Sequence, residues 1–90
     1  MNFHRDPLKD IKIRQDPGRN GVWFDDVVDA IKSWWFYEII DHQKQDMYPW
    51  QRIIILQIDW YIYHVPCRID GNDYYLITLF PSRKSTKKYL

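Results

Sequence analysis

Residues 51–80 constrain the fold more than any other part of the chain. Two strand-like runs, QRIIILQI (51–58) and YIYHVPCRI (61–69), are separated only by Asp59 and Trp60. A third run, YYLITLF (74–80), follows DGND at 70–73. The first link implies an antiparallel hairpin with a two-residue turn, and Asp-Gly is a good hairpin signal for the second; the strand parity takes two-residue turns at both. Trp60 is an unusual turn residue. Pro66 has no N–H to give a ladder, so a bulge or a break is expected beside it.

Directly paired residues in antiparallel strands share a face, so the short turns also fix parity. One face should carry Ile53, Ile55, Gln57, Ile62, His64, Pro66, Arg68, Tyr75, Ile77 and Leu79. The other should carry Ile54, Leu56, Ile58, Tyr61, Tyr63, Val65, Cys67, Leu76, Thr78 and Phe80. The second face is almost wholly apolar and is expected to meet helices. Arg52 falls on it by the same count, near the strand start. The first face mixes apolar and polar residues, as a half-exposed binding surface would, and continued alternation puts Arg83 on that side. A one-residue slip would reverse these assignments.

The rest of the chain supplies the helices. PLKDIKIRQ (7–15) can start one, with Asp6 as N-cap and Pro7 in the first turn. DPGRNG (16–21) is a dense turn signal. WFDDVVDAIKSWW (23–35) places Phe24, Val27, Val28 and Ile31 at helical spacing, with Asp25 and Asp26 in the positive first turn. FYEIIDH (36–42) reads as a strand, QKQDMYPW as a polar loop, and Ser82 as the N-cap of a short helix over 83–90. The order helix, helix, four strands, helix predicts one α+β domain spanning residues 1–90.

Ninety residues give a small core, so the large rings at 18% of the chain are needed to fill it. Five Trp and seven Tyr exceed what the interior can hold, which favours a partner or a stacking ligand at the surface. Tyr48, Trp50, Trp60, Tyr74 and Tyr75 could stack bases, although packing explains them equally well. One cysteine, Cys67, excludes an intrachain disulfide. No secretory h-region begins the sequence and no apolar run approaches a membrane span, so a cytoplasmic location is expected. Scattered histidines and a lone cysteine show no ligand spacing, so neither a metal nor another cofactor is expected.

Charge is unevenly placed. Residues 21–50 hold six acids against two lysines, whereas Arg83, Lys84, Lys87 and Lys88 follow the last strand without an acid. Cations at a helix N-terminus oppose its dipole, and a bound anion such as phosphate would reverse that penalty. Arg83 with Lys87, and Lys84 with Lys88, stand four residues apart and form a stripe. A solvated basic tail explains the same residues without a ligand. His64, amid Tyr, Ile and Val, is either a structural histidine or a general acid or base on the side shared with Arg83.

Several ordered features resemble the BrnT-like toxins of the RelE/ParE-like superfamily in type II toxin–antitoxin systems. F-x-x-D-P-x-K is matched by Phe3, Asp6, Pro7 and Lys9. G-V-x-F-[DE]-[DE]-[VA] is matched by Gly21, Val22, Phe24, Asp25, Asp26 and Val27. A basic residue opening a strand is matched by Arg52. The ending [I/F]-x-[SA]-R-[KR]-[AS]-[ST]-[KR] is matched by Phe80, Ser82, Arg83, Lys84, Ser85, Thr86 and Lys87. The chain departs from this pattern in carrying Trp23 where such sequences have a capping serine, Asp59-Trp60 where an Asn-Gly-like turn is usual, an inserted QDPGRN, and His64 in place of an aliphatic residue. Glu is nearly absent.

The resemblance implies a RelE-like, antiparallel four-stranded sheet with two N-terminal helices and a short C-terminal one. It implies a metal-independent ribonuclease that cleaves RNA and inhibits translation, held by a cognate antitoxin in a hetero-oligomer. That antitoxin is commonly a ribbon-helix-helix DNA-binding protein. Carried over by position, Arg83 would bind the scissile phosphate and Arg52 would assist. Beyond what the resemblance carries over, Lys84, Lys87, Lys88 and Tyr89 are inferred to contact the RNA, with His64 or Tyr89 as the candidates for proton transfer. The alternative is a toxin-fold module that binds a partner or nucleic acid without catalysis. A third reading is an interaction domain whose basic tail only aids solubility.

Overall fold

The computed structural model describes residues 2–16, 18, 21–41, 46–47 and 49–90, with backbone alone at 10 and 14. The elements are β1 (Asn2–Arg5), α1 (Pro7–Gln15), α2 (Phe24–Lys32), β2 (Phe36–Asp41), β3 (Gln51–Ile58), β4 (Tyr61–Asp70), β5 (Asp73–Leu76), β6 (Phe80–Pro81) and α3 (Arg83–Tyr89). The class is α+β. The sheet is six-stranded and mixed, in the order β1-β5-β4-β3-β2 with β6 also on β4, and not the four-stranded antiparallel sheet expected.

The two hairpins follow from turn chemistry. Ile58 faces Tyr61 and Asp70 faces Asp73, so each turn has two residues. Asp59 and Gly71 take positive φ (56° and 59°) at the first turn position. Aspartate is among the few side-chained residues that tolerate this region, which lets Asp59-Trp60 replace an Asn-Gly turn. The β3–β4 register is unbroken from Gln51–Arg68 to Ile58–Tyr61.

The expected fourth strand, 74–80, is broken. Leu76 faces Cys67 but Phe80 faces His64, so one extra residue lies between the two pairings. The break flanks Pro66, whose carbonyl accepts from the Ile77 N–H (3.0 Å) on that side. Pro66 therefore turns its backbone away from β3 and toward β5 and β6, where its missing N–H removes a rung. The slip reverses parity beyond it. Leu79 is buried with Leu76 on the helix side, and Phe80 lies against His64 on the other, opposite to simple alternation.

β1 was not foreseen. Asn2–Arg5 runs parallel to β5, Asn2 beside Asp73 and Arg5 beside Leu76. Four mostly polar residues give no apolar alternation, and the partner is distant in sequence. Phe3 packs against Tyr74 and His4 stacks on Tyr75 (4.7 Å). A hydrogen bond with His4 (3.0 Å) holds the Asp73 carboxyl below its ordinary pKa.

Two apolar clusters fix the layers. Phe24, Val27 and Ile31 of α2 and Ile13 of α1 pack on Ile54, Leu56, Tyr63, Val65, Cys67, Leu76 and Leu79. On the reverse face Ile53, Ile55 and Ile62 pack with Ile40 and Tyr89. α2 lacks a capping serine, and the Asp26 carboxylate accepts from the Trp23 N–H (3.0 Å) in compensation. The expected helix over 23–35 ends at Lys32, and Trp34 takes a positive φ of 63°. Half of the expected loop at 43–50 and half of the turn at 16–21 lie outside the described residues, as do His42 and Tyr48.

Cys67 is fully buried on the α2 side. Burial pushes its thiol pKa up to about 11, only partly opposed by Arg52. The folded protein is therefore expected to resist a thiol reagent at pH 8 and to label rapidly in denaturant. Equal labelling rates in both states would contradict this burial.

Candidate functional site: a basic groove under the C-terminal helix

α3 is built by its cap. The Ser82 hydroxyl accepts from the Ser85 N–H (3.2 Å), and the Ser82 carbonyl accepts from the Thr86 N–H (2.9 Å) and hydroxyl (2.7 Å). Thr86 Oγ1 also accepts the Ile62 N–H of β4 (3.0 Å), and the Ser82 N–H donates to the Ile62 carbonyl (2.9 Å). These bonds from one short turn hold the helix against the sheet face of Ile53, Ile55 and Ile62.

Between α3 and that face runs an open groove of about 680 Å³. Glu38, Ile55, His64 and Phe80 form one row across its floor, from β2 through β3 and β4 to β6. Lys84, Ser85, Lys88 and Tyr89 line it from α3. Two strand spacings separate Glu38 from His64, about 10 Å between backbones.

His64 is half-buried, and one ring nitrogen, Nε2, lies 2.7 Å from Ser85 Oγ. Burial lowers its pKa below 6.5, so the imidazole is neutral at pH 7. The Tyr89 hydroxyl donates a hydrogen bond to Glu38 Oε1. That bond, more than burial, raises the Tyr89 pKa and keeps the phenol protonated. Tyr37 packs on the Tyr89 ring (4.7 Å) and gives its own hydroxyl to Gln57 (2.8 Å), while Lys88 Nζ lies 5.2 Å from the centre of the same ring.

The structure brings His64, Lys84, Lys88 and Tyr89 together and leaves the other expected residues apart. Arg83 and Lys87 belong to α3 but do not line the groove. Arg52 pairs with Cys67 across β3–β4, on the α2 side of the sheet, and its guanidinium bonds Asp41 (3.2 Å). It cannot act beside Arg83, as the resemblance implied, without crossing the sheet. No acid pairs with Arg83, Lys84 or Lys87 among the described residues.

Sequence reasoning gave no role to Glu38 or to Ser85. Plain alternation from Phe36 would turn Glu38 toward the core with it. Instead the β2–β3 register shifts between Phe36, opposite Leu56, and Glu38, opposite Ile55. Tyr37 is the extra residue, and the bulge swings Glu38 to the α3 side. A carboxylate beside Phe36 and Leu56 would have been buried without a partner, and that conflict was the available signal. No family model, curated protein or solved structure matches the chain.

Proposed function

We propose that the groove under α3 binds and cleaves RNA and that the chain is a BrnT-like toxin of a type II toxin–antitoxin system. One observation carries the reading: a neutral histidine, a protonated tyrosine on a carboxylate, and two lysines converge in one open groove. Attack by a ribose 2′-hydroxyl needs a base, cationic stabilisation of the phosphorane-like transition state, and a proton donor for the departing 5′-oxygen. His64 is the base, once substrate displaces Ser85 from its ring nitrogen. Lys84 and Lys88 bind the scissile phosphate. Tyr89, its hydroxyl turned from Glu38 to the substrate, gives its proton to the leaving oxygen, and the proton taken up by His64 restores the phenol through solvent. Arg83 and Lys87, on α3 but outside the groove, contact the RNA backbone on either side. The reaction needs no metal. The partner is a ribbon-helix-helix antitoxin that covers the groove in a cytoplasmic hetero-oligomer. Among the described residues no helix is long and apolar enough to cross a membrane.

A 5′-labelled RNA incubated with the purified protein and excess chelator tests the activity. Discrete cleavage products support it, and intact RNA bound to the protein sinks it. The position of Arg52, on the α2 side and paired to Asp41, favours the non-catalytic alternative, in which the groove binds RNA or a partner without cutting.

The pH dependence follows from His64. Its folded pKa lies below 6.5, so the rate limb assigned to the base should be centred below pH 6.5 and fall toward lower pH. The same shift makes the unfolded chain bind the proton more readily, so stability is full above 6.5 and declines as pH falls through the folded value. His64→Gln should remove both limbs in rate and urea-melt profiles. A limb centred above 6.5 would rule out this assignment.

A further inference from the structure

We propose that the tryptophan groove at the β3–β4 turn docks a partner protein through an arginine- or lysine-bearing segment. This groove, of about 480 Å³, lies between α2 and the turn and shares no lining residue with the groove under α3. Trp35, Trp60 and Ile58 supply apolar surface, and Asp26, Asp29 and Asp59 supply charge. Among the described residues no lysine or arginine lines it.

The aromatic surface is unusually open. Trp60 is 86% exposed, Trp35 56%, and the neighbouring Trp34 81%. Single exposed apolar residues are ordinary, but two indoles lining one groove form a patch of the kind that partners cover. Tryptophan also dominates the energetic centres of protein interfaces.

Charge selects the occupant. Asp26 is already engaged with the Trp23 N–H. The carboxylates of Asp29 and Asp59 make no ion pair among the described residues. A purely apolar partner would strand both carboxylates away from water, which is costly. An acidic partner or a nucleic-acid backbone would be repelled. A guanidinium or ammonium lying on Trp35 or Trp60 gains from the ring face and from a charge-assisted hydrogen bond to a carboxylate together. The docking site stands whether or not the α3 groove cleaves RNA.

The probe is a synthetic hexapeptide of alternating leucine and arginine, with a leucine–glutamate peptide as its counterpart. Titration into ¹⁵N-labelled protein should shift the Trp35 and Trp60 indole N–H signals saturably while Trp50 stays in place. Asp29→Asn with Asp59→Asn should weaken binding at least ten-fold, and asparagine tolerates the positive φ at 59. Trp60→Ala should do the same, with circular dichroism unchanged in both variants. The glutamate peptide should cause no shift. Absence of saturable shifts at Trp35 and Trp60, or full affinity in the aspartate variant, overturns the assignment. So does self-association by light scattering that Trp60→Ala abolishes, since the occupant would then be a second copy of this chain.

Discussion

Alanine at both Lys84 and Lys88 is expected to lower single-turnover RNA cleavage by about 10²-fold or more while the protein stays folded. These lysines line the groove beside His64, and in the proposed reaction they would meet the charge that develops in the transition state. Losing even one such preorganised donor typically costs about 10²–10³ in rate. The matched pair Arg83→Ala with Lys87→Ala should behave differently. Those residues lie outside the groove lining, so their loss should weaken RNA binding with little change in the rate from saturating substrate. Withdrawing two cations from the phosphates of a single strand would flatten the salt dependence of log K by about 1.4. The two double variants thus separate chemistry from grip. Undiminished cleavage in the Lys84/Lys88 variant would remove the groove from the mechanism. A large loss of rate at saturation in the Arg83/Lys87 variant would return Arg83 to the role that the family resemblance implies.

Phe24→Ala should be the most damaging single change to the fold. Phe24 opens α2, is fully buried, and sits in the main cluster with Leu56 and Val65. Truncating a buried phenylalanine costs about 3–5 kcal/mol, because transfer and cavity terms add. A chain of this length has a total stability of only about 5–13 kcal/mol. The urea midpoint should fall by a large fraction, or the variant should be unfolded at 37 °C. Phe80→Ala is the internal comparison. Its ring is 40% exposed and packs only on the α3 side, so the loss should be about 1 kcal/mol. Equal midpoints for the two variants would mean that the α2 cluster is not the principal core.

Local signals carried the parts of the fold that local chemistry determines. The first helix at 7–15 and the strand pair at 51–58 and 61–69 were legible from Asp6-Pro7, from β-branched runs and from the shortest possible link. Pro66 announced the break beside it. The consequence for parity at Leu79 and Phe80 was not readable, because sequence does not say on which neighbouring strand the extra residue falls. β1 was illegible because its partner lies about seventy residues away and its side chains show no alternation. At the candidate site, the basic run and His64 could be read as chemistry-bearing residues, but their grouping could not. Helical spacing puts Lys84 and Lys88 together and separates them from Arg83 and Lys87. Only the docking of α3 decides which pair faces inward. Glu38 came into the groove through a bulge at Tyr37; the conflict of a carboxylate in line with Phe36 was legible, but FYEIID does not say where the chain relieves it.

The interrupted rung beside Pro66 makes the last eleven residues a separable flap. Beyond it they hold through the two pairs Tyr63–Pro81 and His64–Phe80, the Ile62 bonds to Ser82 and Thr86, the Ser85–His64 contact, and Tyr89 on Glu38 and Tyr37, with few backbone bonds among them. The five main strands keep their own pairings without them. Segments tied down this lightly open at a fraction of the global unfolding free energy. Amide protons there should exchange well before those of β3. Each opening would bare Ile53, Ile55 and Ile62 and scatter the lysines from His64, so occupancy of the groove and closure of the flap must strengthen one another.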